Sequence, residues 1–71
     1  MMSRGFFKMS NLISSKRIEK GLTQRQLAEI CGITYQSLQR YENGSVVPSV
    51  TIAIIIAQAL GATVEDLFPT E

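Results

Sequence analysis

The sequence predicts an all-α fold, a compact five-helix domain whose second and third helices are joined by a tight turn. Five segments carry apolar residues three and four positions apart, the spacing that buries one face of a helix. Each segment follows a serine or threonine that can cap a helix, and each ends near a glycine or a proline. The connections are short, and a chain of 71 residues admits one domain.

The chain divides into an arm at 1–9, which shows no periodicity, a helical domain at 10–68 and a tail at 69–71. The first helix is expected to begin with Ser10 as its N-cap and to end at Gly21. Its helical periodicity rests on Leu12, Ile13, Arg17 and Ile18.

The second helix is expected to follow Thr23 and to stop at Gly32. Thr23 and Gln26 have the spacing of a capping box, in which the hydroxyl accepts from the Gln26 amide and the Gln26 side chain reaches back. The buried face of this helix is expected to contain Leu27, Ala28, Ile30 and Cys31.

The third helix is expected to open at Thr34, another capping residue, and to run to about Asn43. Asn43 and Gly44 form a strong turn signal, which in other contexts also suits a hairpin. Residues 35–42 do not alternate apolar and polar side chains, so we reject the hairpin. The apolar face of this helix is sparse and consists of Leu38 and Tyr41.

Two further helices complete the predicted domain. The fourth helix is expected to follow the capping residue Ser49, to cover Val50–Leu60 and to stop at Gly61. The fifth is expected to follow Thr63, to cover Val64–Phe68 and to stop at Pro69. Asp66 lies in the first turn of the fifth helix, where its charge is favourable to the helix dipole.

The second and third helices form a steep pair around a tight turn. Ala28 supplies the small residue needed where they approach, and Gly32 tolerates the positive φ that the turn requires. The inner faces are filled by Leu27, Cys31, Ile33, Leu38 and Tyr41. The outer face of the third helix is left with hydrogen-bonding side chains and little reason to pack: Tyr35, Gln36, Gln39 and Arg40.

Charge is unevenly distributed, although the net charge is only +1. All seven basic residues lie in the first forty positions, where only Glu19 and Glu29 oppose them. The remaining positions carry four acidic residues and no base. The basic half of the chain can therefore face a polyanion, and random scatter in a short chain is the alternative.

The composition argues against catalytic and metal sites. There is no histidine and Cys31 is the only cysteine, so the chain has no intrachain disulfide, no zinc ligand set and no thiol–base pair. Glu65 and Asp66 are adjacent at a helix start, where dipole and solvation explain them. We expect no enzyme activity, no metal, no cofactor and no small-molecule ligand.

The sequence also argues against a membrane or an export pathway. The most apolar stretch, Ile52 to Leu60, is too short to span a bilayer, and the first ten residues do not form a secretory signal. With a reduced free thiol, these features predict a cytoplasmic protein.

The stretch Lys16–Gly44, KRIEKGLTQRQLAEICGITYQSLQRYENG, resembles the Cro/repressor helix-turn-helix family, also called the XRE family. The later stretch PSVTIAIIIAQALGATVEDLF is similar to the rest of that lambda repressor-like domain, so the resemblance covers residues 11–68. Its most specific pieces are GLTQ..LA...GI, YENG and ALG....DLF, in that order. The resemblance implies a regulator that binds double-stranded DNA through its third helix, placed in the major groove.

The resemblance also implies which side chains meet DNA. Gln36 suits adenine N6 and N7, Arg40 suits guanine O6 and N7, and Tyr35 is expected to reach a thymine methyl or a phosphate. Gln24 occupies a position where family members place a glutamine against a phosphate. Backbone contacts are further expected from Thr23, Arg25, Thr34, Gln39 and Asn43. Capping alone is the alternative role for Gln24 and the favoured one for Gln26.

A structural ion pair is also implied. Arg17 and Glu42 stand where family members connect the first helix to the end of the recognition helix.

The fourth helix departs from the family because it is almost wholly apolar. A helical wheel places Val50, Ala53, Ile54, Ala57 and Leu60 inward, with Ile56 at the margin and a second stripe on the far side. Small proteins rarely expose such a stripe without a use, so we expect a homodimer. Its interface is expected to include Ile52, Ile55, Ala59 and Phe68. The alternative is that Phe6, Phe7 and Met9 of the arm cover the stripe.

The sequence therefore predicts a sequence-specific transcriptional regulator of bacterial or phage origin, a repressor. A two-fold dimer implies a pseudo-palindromic operator with half-sites roughly 34 Å apart. The second interpretation is an antitoxin or another protein-interaction module that uses the isoleucine stripe as its main surface.

Overall fold

The computed structural model describes residues 11–69, and this part of the chain contains five helices and no strand. The helices are α1 (Ile13–Glu19), α2 (Gln24–Cys31), α3 (Tyr35–Glu42), α4 (Val50–Ala59) and α5 (Val64–Leu67). The predicted all-α five-helix fold is confirmed.

The caps of the last four helices are the predicted ones. The hydroxyls of Thr23, Thr34, Ser49 and Thr63 each accept a hydrogen bond from the backbone amide three residues further on. The capping box of α2 is complete, since the Gln26 side chain accepts from the Thr23 amide at 2.8 Å. Local side-chain chemistry therefore sets where these helices begin.

The start of α1 differs from the prediction. Ser10 lies outside the described residues, and Leu12 occupies the N-cap position without a side-chain cap. The Asn11 side chain takes over part of that role, because its oxygen accepts from the Ile13 amide at 3.0 Å. The Leu12 amide donates to the Leu67 carbonyl at 2.8 Å, so the segment that leads into α1 is fixed to the end of α5.

The core draws on all five helices. Its largest fully buried side chains are Ile13, Leu27, Leu38, Ile56, Leu60 and Leu67. Ala28 is buried between them, and Ile33 and Tyr41 pack against the same cluster half-buried. Cys31 is a buried free cysteine, and burial raises the pKa of its thiol, so it serves the core as a small apolar residue.

Two predictions about buried faces are wrong. Ile30, expected on the buried face of α2, is 58% exposed. On α4, Val50 and Ile54 were expected inward and are 77% and 43% exposed, whereas Ile56 is fully buried. The predicted outer stripe Ile52, Ile55 and Ala59 packs half-buried against the core instead. Because α4 is apolar on nearly every side, its periodicity carries little information about which side faces inward.

Candidate nucleic-acid interface

The turn between α2 and α3 depends on backbone conformation. Gly32 ends α2 with φ of 71°, in the left-handed region that favours glycine. A Cβ built at this position would meet nothing within 4 Å, so conformation and not space requires the glycine. The Ile33 amide donates to the Ala28 carbonyl at 3.0 Å, which closes the turn against α2.

A hydrogen-bonded network holds the end of α3 from behind. Arg17 Nε donates to Glu42 Oε2 at 2.8 Å and Arg17 Nη2 donates to Glu42 Oε1 at 3.2 Å, so the expected ion pair is present and bidentate. Gln24 Nε2 donates to Glu42 Oε1 at 3.0 Å. The two charged side chains are only 13% and 6% exposed. This network therefore connects α1, the first turn of α2 and the end of α3.

Two further bonds brace the same region. Arg17 Nη1 donates to the Leu22 carbonyl at 2.8 Å, and Asn11 Nδ2 donates to the Tyr41 carbonyl at 2.9 Å. Four side-chain hydrogen bonds thus end on Tyr41 or Glu42 of α3, and a fifth orients Arg17 against the segment before α2. None of them involves the opposite side of α3.

On that opposite side, Gln36 and Arg40 are exposed and one helical turn apart. Within residues 11–69 neither side chain takes part in a hydrogen bond or ion pair. Their donor and acceptor groups are therefore available to a ligand that lies along α3.

Tyr35, the third predicted base-reading residue, has a different environment. It is half-buried, and the Arg25 guanidinium of α2 lies over its ring at 4.3 Å from the centroid. Its hydroxyl oxygen accepts from Gln39 Nε2 at 3.1 Å. Neither contact was predicted from the sequence. The contact between Tyr35 and Gln39 could have been, because side chains four residues apart on a helix are neighbours.

Several of the side chains that were predicted to contact the DNA backbone already take part in hydrogen bonds within the protein. The Thr23 hydroxyl is engaged in capping, and the Thr34 hydroxyl both caps α3 and donates to Ser37 Oγ at 2.9 Å. Asn43 Oδ1 accepts from the Ser45 amide at 2.8 Å and from the Ser45 hydroxyl. Gln24 does not cap α2, since its amide is bound to Glu42.

The predicted dimer residues lie elsewhere. Ile52, Ile55, Ala59 and Phe68 belong to α4 and to the end of α5, and all four are half-buried. The apolar side chains that are exposed near them are Val46, Val47, Val50 and Ile54. An apolar groove of about 210 Å³ opens beside them, lined by Val47, Pro48, Val50, Ala53, Val64 and Phe68.

Other kinds of site find no support in the described residues. No group of three or more His, Cys, Asp and Glu side chains at 11–69 is arranged to hold a metal ion. In the same range, every helix is too short or too polar to cross a membrane.

Comparisons with a family model, with sequence relatives and with a solved structure support the helix-turn-helix arrangement of α2 and α3. The helix-turn-helix family model matches residues 13–67. An uncharacterized HTH-type transcriptional regulator of Methanothermobacter thermautotrophicus is 46% identical over 61 residues, which cover 84% of this chain and 88% of that protein. A Bacillus subtilis HTH-type regulator, YgzD, is 35% identical over 60 residues, covering 84% of this chain and 91% of that protein.

A solved structure has the same fold. The crystal structure of the clp gene regulator ClgR from Corynebacterium glutamicum superposes with a TM-score of 0.72 at 35% identity, over 76% of this chain. The match spans 57% of the ClgR chain. With the family model matched across all five helices, the chain belongs to the Cro/repressor (XRE) family of helix-turn-helix DNA-binding transcriptional regulators.

Proposed function

We propose that this protein is a cytoplasmic, sequence-specific repressor that inserts α3 into the major groove of double-stranded DNA. One observation carries the proposal. Gln36 and Arg40 project from the outer side of a helix whose other side is fixed by the Arg17–Glu42–Gln24 network. A helix that is fixed in place before binding does not have to be ordered when it binds, which lowers the entropy cost of presenting these two side chains.

The chemistry of the two exposed side chains suits base edges. A glutamine amide offers the donor and acceptor that adenine N6 and N7 require, and a guanidinium offers two donors for guanine O6 and N7. Gln36 and Arg40 therefore read different base pairs in this proposal, one helical turn apart on α3.

In this proposal, contacts to DNA phosphates fix the position and orientation of the domain along the DNA. The amino ends of α2 and α3 lie at Thr23 and Thr34, and free backbone amides at helix N-termini attract phosphate without a charged side chain. Further phosphate contacts are proposed for Arg25, Gln39 and Asn43, which are exposed, and for Gln24, whose side-chain amide is also bound to Glu42. This explains how a chain of net charge +1 can bind a polyanion.

Repression is the simplest consequence of such binding. A domain that occupies an operator excludes other proteins from it by its volume alone. A reporter gene placed behind the selected operator should be less transcribed when the protein is present, and increased transcription would reverse the sign of regulation.

The DNA proposal is tested by selecting binding sites from random DNA with the parent chain, Gln36→Ala and Arg40→Ala. Each variant should relax the preference at one or two base pairs, by about 1–3 kcal/mol per pair. Gln58→Ala and Lys20→Ala are matched controls, because they remove the same kinds of polar group from exposed positions outside α3. If both α3 variants keep the parent's preference, the base-reading assignment is wrong.

We further propose that the protein binds as a homodimer on a pseudo-palindromic operator. Ile52, Ile55, Ala59 and Phe68 already pack against the core, so the interface centres on the exposed Val50 and Ile54. Phe68 takes part through the groove that it lines beside Val50. The exposed valines and the adjoining groove support this placement, because an apolar surface of this kind on a small protein usually serves an interaction.

The same surface favours a second candidate function, an antitoxin-like or other protein-interaction module. An antitoxin should co-purify with the product of a neighbouring toxin gene, whereas a homodimer needs no second protein. Purification from the native host, followed by identification of any bound chain, separates the two.

A further inference from the structure

Tyr35 differs from the other polar residues of α3 in being held on two sides. The Arg25 guanidinium covers one face of its ring at 4.3 Å from the centroid, and Gln39 binds its hydroxyl at 3.1 Å. Gln36 and Arg40 have no such contacts within residues 11–69. The tyrosine is thus oriented before any ligand arrives, although it lies in the first turn of α3, the part of a recognition helix nearest to the bases.

The hydrogen bond from Gln39 determines what the tyrosine hydroxyl can still do. Gln39 Nε2 donates, so the phenolic oxygen is the acceptor in this pair. A phenol has one O–H donor and accepts at its oxygen. With the oxygen engaged by Gln39, the group that remains for a ligand is the O–H donor.

We propose that Tyr35 reads its base as a donor only, and that Gln39 is a specificity-determining residue that acts through it. This inference rests on the proposed major-groove binding. A donor pairs with the acceptors of the groove, which are guanine N7 and O6, adenine N7 and thymine O4. Cytosine presents only its N4 amino donor there, so Tyr35 disfavours cytosine at the position it faces.

Arg25 is a positioning residue in this arrangement. Its guanidinium stacks on the ring from α2, and so couples the direction of the tyrosine to the turn between α2 and α3. Planar stacking is a property of arginine that lysine lacks, although both carry the same charge. An Arg25→Lys variant therefore separates the stacking from the charge.

The test repeats the site selection with Tyr35→Phe, Gln39→Ala and Gln39→Glu. Tyr35→Phe and Gln39→Ala should each weaken the discrimination against cytosine at one position by about fivefold, the effect of one hydrogen bond, and leave other positions unchanged. Gln39→Glu should reverse this discrimination, so that cytosine or adenine becomes favoured at the position. A carboxylate can only accept, so it would take the tyrosine proton donor and leave the phenolic oxygen to accept from cytosine N4 or adenine N6.

Controls separate charge and stability from specificity. Asn43→Asp makes the same amide-to-acid change at the end of α3 and should lower affinity without changing the base preference at the Tyr35 position. Arg25→Lys should keep the salt dependence of binding and still weaken the discrimination at that one position. Thermal unfolding should be similar for the parent and for the Arg25 and Gln39 variants, because both residues are exposed.

The outcomes distinguish this inference from the proposed function. If Gln36→Ala and Arg40→Ala change the selected site but Tyr35→Phe and Gln39→Glu do not, the inference is wrong and the DNA proposal stands. A parent preference for cytosine at the position that Tyr35→Phe alters would also overturn it. If the parent chain selects no site at all, the DNA proposal itself fails.

Discussion

The carboxylate of Glu42 accepts hydrogen bonds from side chains that start on two different helices, Arg17 of α1 and Gln24 of α2. Three donor atoms share its two oxygens, and the carboxylate is almost completely removed from solvent. Such a pair contributes little net stability, because the cost of desolvating the charges offsets their attraction. Its effect here is geometric, since one carboxylate fixes the end of α3 relative to α1 and α2.

Breaking this pair from one side should be costly. Arg17→Met leaves the Glu42 charge buried, with only the Gln24 amide as a partner, and should lower the free energy of unfolding by about 3–5 kcal/mol. The double variant Arg17→Met with Glu42→Leu should lose much less of the free energy of unfolding, because no unpaired buried charge remains. Chemical denaturation of both single variants and the double variant measures the coupling.

A surface pair in the same helix provides the control. Lys16 and Glu19 are 3.9 Å apart with side chains 36% and 69% exposed, so Lys16→Met should change the stability by less than about 1 kcal/mol. For the buried pair, the loss of stability in the Arg17→Met and Glu42→Leu double variant should be smaller than the sum of the losses in the two single variants. A loss equal to that sum would show that Arg17 and Glu42 act independently, contrary to the structure.

At the level of single residues, local pairs were predictable and packed contacts were not. Thr23 and Gln26 are three apart and their capping box follows from spacing. Arg17 and Glu42 are 25 positions apart, and only the family resemblance indicated that they meet. The Gln24–Glu42 and Arg25–Tyr35 contacts depend on how α2 and α3 pack, which no local pattern specifies.

At the level of elements, α5 shows how a short helix is stabilised at its start. Thr63 and Asp66 form a capping box in which the Thr63 amide donates to Asp66 Oδ2 at 3.1 Å and the Asp66 amide donates to the Thr63 hydroxyl at 3.1 Å. The hydrogen bond from the Thr63 backbone, and then that from its side chain, lowers the pKa of Asp66 from the ordinary 3.8. The folded state therefore favours the ionised carboxylate.

This linkage predicts a loss of stability in acid. Because the pKa of Asp66 is lower in the folded state, its contribution is present above pH 3.8 and is lost as the pH falls through the folded value. Asp66→Ala should thus reduce the free energy of unfolding at neutral pH, and the difference from the parent should shrink at a pH of about 2.

Glu65→Ala is the matched control, since it also removes an acid from the first turn of α5. At neutral pH it should cost less than Asp66→Ala, and the gap between the two variants should narrow in acid. Denaturation curves at both pH values measure this. Equal losses at neutral pH would mean that the capping bond contributes nothing beyond the helix dipole.

The boundaries of elements were more predictable than their orientation. Capping hydroxyls mark the starts of α2 to α5 in the sequence, and a nearby glycine or proline marks where each of them stops, because the chemistry of these residues is local. The inward side of α4 was assigned wrongly at Val50, Ile54 and Ile56. In a helix that is apolar on nearly all sides, burial is decided by the partners it packs against, and those are not visible in a single segment.

For the whole molecule, the two surfaces proposed for DNA and for a partner differ in composition. The outer side of α3 carries polar side chains and an arginine, whereas the surface around the start of α4 exposes Val46, Val47, Val50 and Ile54. A dimer built on the second surface leaves the first free in each copy. Two α3 helices can then face adjacent major grooves, as a two-fold operator requires.

The dimer proposal is tested by Val50→Glu. Val50 is 77% exposed, so a charge there should leave the fold intact while it opposes apolar association. In sedimentation, the parent should show a concentration-dependent shift towards twice the chain mass, and Val50→Glu should remain a monomer. Its midpoint of thermal unfolding should no longer depend on protein concentration and should match that of the parent in dilute solution, where the parent is also monomeric. The variant should also bind the operator more weakly and still prefer the same half-site, because α3 is untouched.

Gln58→Glu places the same charge on an exposed position of α4 and should sediment like the parent if the interface lies at Val50. Ile55→Glu is a poorer probe, since Ile55 packs against the core and its replacement should destabilise each copy as well. A parent chain that stays monomeric at concentrations at which it fills its operator would exclude the homodimer. The exposed valines and the groove beside Phe68 would then belong to a different protein partner, as the antitoxin-like alternative requires.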